Sequence, residues 1–162
     1  MIRPLVPDDA EELAAILTAN REFTRPFDPE RPEGFYTAAH QARIIRDRTG
    51  FYAILDDGAI AGTVALSNIV HGALRSANMG YWVDQGRNGR GLASAAVGEM
   101  VEQVAFGELG LHRVEAGTLV DNIGSQRVLE KNRFTRIGVA PRYLLIAGAW
   151  RDHVLFQRTV ED

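Results

Sequence analysis

A glycine-rich turn between a strand and a helix, Tyr81-Trp82-Val83-Asp84-Gln85-Gly86-Arg87-Asn88-Gly89-Arg90-Gly91-Leu92-Ala93, constrains this chain more than any other stretch. Before it, residues 78–83 read as a strand. After it, Leu92, Ala96, Met100 and Val104 recur at helical spacing with Val97 and Val101 beside them, while Glu99, Glu102 and Gln103 point away. A strand that passes into an amphipathic helix at mid-chain predicts an α/β fold with a mixed sheet. Such a turn offers free backbone N–H groups and the positive end of a helix dipole to an anion, and glycines at 86, 89 and 91 let the backbone approach it closely. The turn suits a phosphate or pyrophosphate; a plain flexible connection before a helix has the same composition.

The rest of the chain divides at its own turn signals. Ile2 to Val6 predicts a strand, and Asp8 with Glu11 predicts the capped start of a helix that buries Leu13, Ile16 and Leu17. A loop with Pro26, Pro29 and Pro32 follows, then a helix over 33–49 closed by Gly50. Phe51 to Leu55 and Ile60 to Ser67 predict strands joined at Asp57-Gly58. Val114, Ala116, Thr118 and Val120 share one face of a strand over 113–120, a helix runs from near Asn122 to near Asn132, and strands over 135–141 and 150–158 close the chain, with Gly148 at their turn. No repeat or linker divides it, so residues 1–162 are expected to form one domain.

Composition removes several chemistries. With no cysteine there is no disulfide, thiolate metal site or cysteine nucleophile. His40, His71, His112 and His153 form no H-x-x-x-H or H-E-x-x-H pattern, so no metal is expected. A net charge of −3 without a basic block argues against direct nucleic-acid binding. No apolar run reaches the roughly 18 to 20 residues that span a bilayer, so a cytoplasmic protein without membrane attachment is expected, as monomer or homodimer.

Spacing separates the nucleotide-site patterns that compete for the glycine turn. A P-loop ends in Gly-Lys-Ser/Thr, whereas Gly91 precedes Leu92-Ala93. The dinucleotide pattern G-x-G-x-x-G lacks its third glycine, since Ser94 stands there. Asn88-Gly89-Arg90-Gly91-Leu92-Ala93 instead resembles the GNAT acetyltransferase signature Gln/Arg-x-x-Gly-x-Gly/Ala, with Asn88 replacing the usual first residue. A second element of that family stands downstream as Asn122-Ile123-Gly124-Ser125-Gln126-Arg127-Val128-Leu129-Glu130-Lys131-Asn132-Arg133-Phe134, with Arg133 where the family has glycine, so that a left-handed Asn132 is expected to end the helix. Within the family the chain is most similar to the RimJ/RimL ribosomal-protein-alanine N-acetyltransferases, especially RimJ. Arg25-Pro26-Phe27-Asp28-Pro29, Leu66-Ser67-Asn68-Ile69-Val70-His71-Gly72, Met79-Gly80-Tyr81-Trp82, Tyr143-Leu144-Leu145-Ile146 and Trp150-Arg151-Asp152-His153 carry that likeness.

The resemblance implies the GNAT fold, a mixed sheet of about seven strands flanked by about four helices. It also implies acetyl-CoA as cofactor, with pyrophosphate on the amides of Gly89, Arg90, Gly91, Leu92 and Ala93, and Asn88 beside them. The pantetheine arm would run between the strands ending near Val83 and Val120, the backbone N–H near Val83 would polarise the thioester carbonyl, and Asn122 would bond the arm. Asn122 is equally a good helix N-cap, and Ser125, which the resemblance makes the general acid for the leaving thiolate, is equally a first-turn residue. Phe27, Tyr143, Trp150 and Asp152 are implied to recognise the acceptor, a protein N-terminus or a small amine.

The relatives' general base is a glutamate where this chain has Ile137. Glu115, Asp84 or a water relay are the candidate replacements, although Glu115 is equally the solvent-facing residue of an alternating strand and Asp84 a turn residue. An α-amine, with a pKa of about 7.7 to 8.0 against about 10.4 for lysine, needs less help to lose its proton. The expected activity is therefore acetyl transfer to an α-amine, as of a ribosomal protein. Acetylation of a polyamine, amino acid or antibiotic amine is one rival reading, and a non-catalytic acyl-CoA-binding module is another.

Overall fold

Two hairpin turns with left-handed residues frame the sheet. Asp57 and Gly58 have φ of 50° and 83° between β2 (Phe51–Asp56) and β3 (Ala59–Val70), and Ala147 and Gly148 have φ of 48° and 77° between β6 (Thr135–Ile146) and β7 (Ala149–Thr159). Paired left-handed residues match the twist of antiparallel strands. The computed structural model describes residues 1–161, in which β1 (Ile2–Pro4), β4 (Ser76–Val83) and β5 (Arg113–Leu119) complete a seven-stranded sheet of order β1-β2-β3-β4-β5-β7-β6. Every pairing is antiparallel except β4 with β5.

The parallel pairing is short. Ser76, Ala77 and Asn78 face Arg113, Val114 and Glu115, after which β4 stays with β3 and β5 stays with β7. The two central strands thus separate toward Val83 and Leu119 and leave a wedge in the sheet. Val114, Ala116 and Thr118 are buried on one face as expected, but β5 ends at Leu119, and Val120 lies in the following turn, 48% exposed.

Adjacent residues of β2 show that both faces are covered: Ile54 belongs to one apolar cluster and Ala53 to the other. Helix α1 (Ala10–Ala19), the single turn α2 (Arg21–Thr24) and α3 (Ala38–Asp47) follow β1, and Leu13 and Ile45 pack in the Ala53 cluster. Helix α4 (Leu92–Glu99) continues as a wider π-helical segment over Met100–Glu108 and, with α5 (Ile123–Lys131), covers the opposite face. Val97, Met100, Val101 and Leu129 are wholly buried there, each worth about 1.5–3 kcal/mol relative to exposure. Among the described residues no helix is long and apolar enough to cross a membrane.

Three helix ends differ from the sequence expectation. A 3-10 turn over Pro7–Asp9 precedes α1, so Asp9 rather than Asp8 reaches back to the chain entry, accepting the Val6 N–H at 2.8 Å. The expected helix over 33–49 divides: Glu33–Tyr36 is a 3-10 turn, and Thr37 begins α3 by accepting the His40 N–H at 3.2 Å. Beyond α5, Asn132 is not left-handed (φ −94°); Arg133 is, at φ 62°. The Asn132 side chain is engaged elsewhere, donating to the Ser94 and Val128 carbonyls at 3.0 and 2.9 Å and so tying α5 to α4.

Asp9 supports a testable stability claim. Its carboxylate takes two hydrogen bonds from Arg3, at 2.7 and 2.8 Å, beside the one from Val6. The Arg3 guanidinium, opposed by burial and aided by the Val6 N–H, holds the Asp9 carboxyl below its usual range. Asp9→Ala is expected to cost about 2 kcal/mol in urea unfolding at neutral pH. Because the folded-state pKa is lowered, that contribution is full above the unfolded value of about 3.9 and fades as pH falls through the folded one. A gap between wild type and variant that stays constant into strong acid would sink the claim.

Candidate functional site

The wedge opens into a cavity of ≈ 870 Å³ that runs from the glycine turn, past Ser125, to the proline loop. At one end, Gly89 and Gly91 have φ of 78° and 80°, and Gly91 is the left-handed N-cap of α4. A Cβ on either glycine would meet no atom within 4 Å, so the space in front of the turn is open. The first N–H groups of α4 precede any intrahelical acceptor, and Arg87, Arg127 and Lys131 line the same cavity. That combination of directed N–H groups, dipole and cations fits a pyrophosphate.

The turn is held from behind. Asn20, 3% exposed at the end of α1, donates to Asp84 Oδ1 at 2.8 Å and accepts the Gln85 N–H at 2.8 Å. The Arg90 side chain turns outward to Asp56 at 2.5 Å, which Arg87 also approaches at 3.5 Å, so the β2–β3 hairpin braces the turn. Asp84 N donates to Ala61 O at 2.7 Å. By the alternation of an antiparallel ladder, the preceding N–H, that of Val83, then points away from β3, toward the wedge.

Across the wedge, Asn122 caps α5 by accepting the Ser125 N–H at 3.2 Å. This fixes the first turn of the helix, and with it the Ser125 hydroxyl, which lies 2.8 Å from the Tyr81 hydroxyl on β4. Tyr81 also donates to the Ser125 carbonyl at 3.2 Å. Burial pushes the Tyr81 phenol up to about 12, with the Ser125 hydrogen bond a smaller opposing influence, so it stays protonated at neutral pH. Sequence reasoning did not single out Tyr81. The available signal was its alternation with Met79 and Val83, which puts a hydroxyl among the core-facing residues of β4.

Val83, Asn88, Gly89, Gly91, Leu92, Ala93, Asn122, Ser125 and Phe27 line one cavity. The Arg90 side chain, Tyr143, Trp150 and Asp152 stand outside its lining. Tyr143 and Trp150 are 41% and 55% exposed, and Asp152 accepts the Arg142 N–H at 2.8 Å, stabilising the bulge in β6. Their hairpin nevertheless touches the cavity wall, since Ala147 N donates to Asp28 O at 3.0 Å in the proline loop. Neither proposed substitute base faces the cavity. Asp84 is engaged by Asn20, Glu115 pairs with Arg113 at 2.5 Å, and Ile137 is half exposed on the edge strand β6.

Comparison with known proteins identifies the family and the fold. The sequence profile of the Acetyltransferase (GNAT) domain matches residues 1–135. The chain is 39% identical to the probable N-acetyltransferase YjcK of Bacillus subtilis, over 94% of this chain and 89% of the relative. It is 32% identical to the [ribosomal protein uS5]-alanine N-acetyltransferase of Escherichia coli, over 100% and 88%. Mycobacterium smegmatis RimJ, solved in complex with CoA-disulfide, superposes with a TM-score of 0.92 at 33% identity, covering 99% of this chain and 81% of that one. The chain belongs to the GNAT acetyltransferase family and is an N-acetyltransferase with RimJ-like homologues, one of which is solved with CoA-disulfide bound.

Proposed function

We propose that this chain transfers an acetyl group from acetyl-CoA to the α-amine at a protein N-terminus, with a ribosomal protein as the natural acceptor. The observation that carries this reading is the single cavity joining the anion-binding turn, the Tyr81–Ser125 hydroxyl pair and an aromatic acceptor end with Phe23, Phe27, Phe35 and Tyr36. The likeness to the uS5-alanine enzyme over the whole chain supports the acceptor class.

Acetyl-CoA, when bound, supplies the activated acetyl group. The amides of Gly89 to Ala93 hold its pyrophosphate, with the cations of Arg87, Arg127 and Lys131 nearby. Asn88 and Asn122 border its path. The Val83 N–H is directed at the thioester carbonyl oxygen, where negative charge grows as the amine attacks. The Ser125 hydroxyl gives a proton to the departing sulfur, and the protonated Tyr81 beside it aims that hydroxyl. Phe27, with its ring 6.2 Å from Phe23, forms the mouth through which a chain end enters. Tyr143, Trp150 and Asp152 contact the acceptor farther from its terminus, along the hairpin that supports the mouth.

The test is acetyl-CoA-dependent thiol release with three acceptors: an Ala-starting peptide, its N-terminally blocked twin retaining an internal lysine, and a polyamine. Release with the free-terminus peptide alone is expected. Release with the polyamine alone would move the assignment to small-molecule acetylation.

A further inference from the structure

Acceptor amines arrive as ammonium ions and must lose a proton before they attack, yet the family's base position holds Ile137. Among the described residues lining the cavity there are five cations, Arg31, Arg48, Arg87, Arg127 and Lys131, and one carboxylate, Asp28. We propose that Asp28 receives the acceptor's ammonium group and takes up its proton, serving as the general base that the sequence lacks at position 137. The inference rests on the acetyltransferase reading above and names the acid–base partner of its substrate.

The backbone fixes where Asp28 stands. It follows the 3-10 turn Arg25–Phe27, and its carbonyl accepts the Ala147 N–H at 3.0 Å, so the β6–β7 hairpin clamps this residue at the cavity wall beside Phe27. The flanks of the loop are anchored as well: Arg21 pairs with Glu33 at 2.5 Å, and Arg31 lies 4.5 Å above the Phe35 ring. The nearest cation, Arg31 Nε, is 3.8 Å from Asp28 Oδ2, beyond hydrogen-bond distance, which leaves the carboxylate oxygens able to accept from an ammonium group. Burial raises the Asp28 carboxyl above its usual range, and Arg31 partly opposes that rise. A base shifted toward the amine's own pKa is better matched to take its proton.

Other charged groups face the same region without displacing Arg31 as the principal partner. Arg25 is occupied by Glu22 at 2.6 Å and Arg21 by Glu33, while Glu30 lies against Gly148. Arg48, from the end of α3, stacks 4.8 Å from the Phe51 ring. In the reaction one ammonium proton goes to Asp28 and then to solvent. The nitrogen–carbon bond forms as the carbon–sulfur bond breaks, and the nitrogen's second proton replaces, through water, the one that the Ser125 hydroxyl gives to sulfur. Charge and atoms balance without another reactant.

Asp28→Asn keeps the shape of the side chain and removes its charge. The expected result is a fall of about 10²-fold in kcat/KM on whichever amine the enzyme acetylates, with KM for acetyl-CoA unchanged and partial recovery in Asp28→Glu. Below its pKa the carboxyl is protonated and cannot accept, so kcat/KM of the wild type falls as pH drops through that value. Arg31→Met removes the charge that opposes the rise and is expected to move this acidic limb to higher pH, which a purely structural salt link would not do. Calorimetry of the Ala-starting peptide on the CoA-loaded protein reads the same residue without turnover, with a tenfold or greater loss expected in Asp28→Asn. Wild-type kcat/KM and peptide binding in Asp28→Asn, with an unmoved acidic limb, would overturn the proposal. A wild type that acetylates only the polyamine overturns the N-terminal reading instead, and Asp28 stands or falls by whether its variant loses that activity.

Discussion

Gly62→Ala is expected to lower the stability of the protein by 3 kcal/mol or more, on the order of a 6–12 °C drop in Tm for a chain of this size. A Cβ at Gly62 would overlap the Trp82 carbonyl oxygen and sit 2.9 Å from Val83 Cα and 3.0 Å from Trp82 C. These are backbone atoms of the neighbouring strand, so no side chain can swing aside. β3 is buried continuously from Ile60 to Leu66, between the two apolar clusters, and has no open direction in which to move. Relief requires β3 and β4 to part, at the expense of the 2.7 Å bond from Asp84 N to Ala61 O. That displacement also moves Val83, so surviving folded protein should show reduced acetyl transfer. Gly138→Ala is the control, because its Cβ would meet nothing within 4 Å and its φ is not left-handed. A Gly62→Ala protein that melts within about 2 °C of wild type would refute the argument.

The same contrast between local and distant causes explains what was legible in the sequence. Asp57-Gly58, Gly148, the alternation of Val114, Ala116 and Thr118, and the Asn122 cap are set by residues within a few positions of one another, and each stands in the structure as the sequence implied. The glycine turn was legible for the same reason. Features that depend on distant partners were not. Asn20 reads as an ordinary residue at a helix end until the fold brings it 64 positions along the chain to Asp84. Tyr81 and Ser125 are 44 residues apart and meet only because β4 and β5 separate and α5 closes over the gap. Asn132 was expected to end α5 in a left-handed conformation, but its side chain satisfies carbonyls on two helices, and the strained backbone passes to Arg133. Of the carboxylates weighed on sequence as substitute bases, Glu115 is paired with Arg113 and Asp84 is held by Asn20, outside the cavity lining, whereas Asp28, in the proline loop whose acidic residues the sequence offered only as an attraction for a cationic acceptor, lines the cavity.

Ser125→Ala is expected to reduce kcat by about 10²-fold while KM for acetyl-CoA changes less than about twofold. The hydroxyl lies at the first turn of α5, where the cap from Asn122 depends on the Ser125 backbone N–H and not on its side chain, so the alanine variant keeps its fold and its cofactor site. Loss of turnover would therefore report lost proton transfer. Tyr81→Phe removes the hydroxyl that lies 2.8 Å from Ser125 Oγ but leaves Ser125 itself, and a smaller loss, about tenfold, is expected if Tyr81 only aims the donor. Since burial holds the Tyr81 phenol at about 12, the residue stays protonated across the working range, and any alkaline limb of the rate profile below that value belongs to another group and must persist in Tyr81→Phe. The double variant discriminates further: two groups in one relay lose less together than the sum of their separate losses in free energy. Full kcat in Ser125→Ala would remove the serine from the chemistry, and strict additivity in the double variant would separate the two hydroxyls into independent roles.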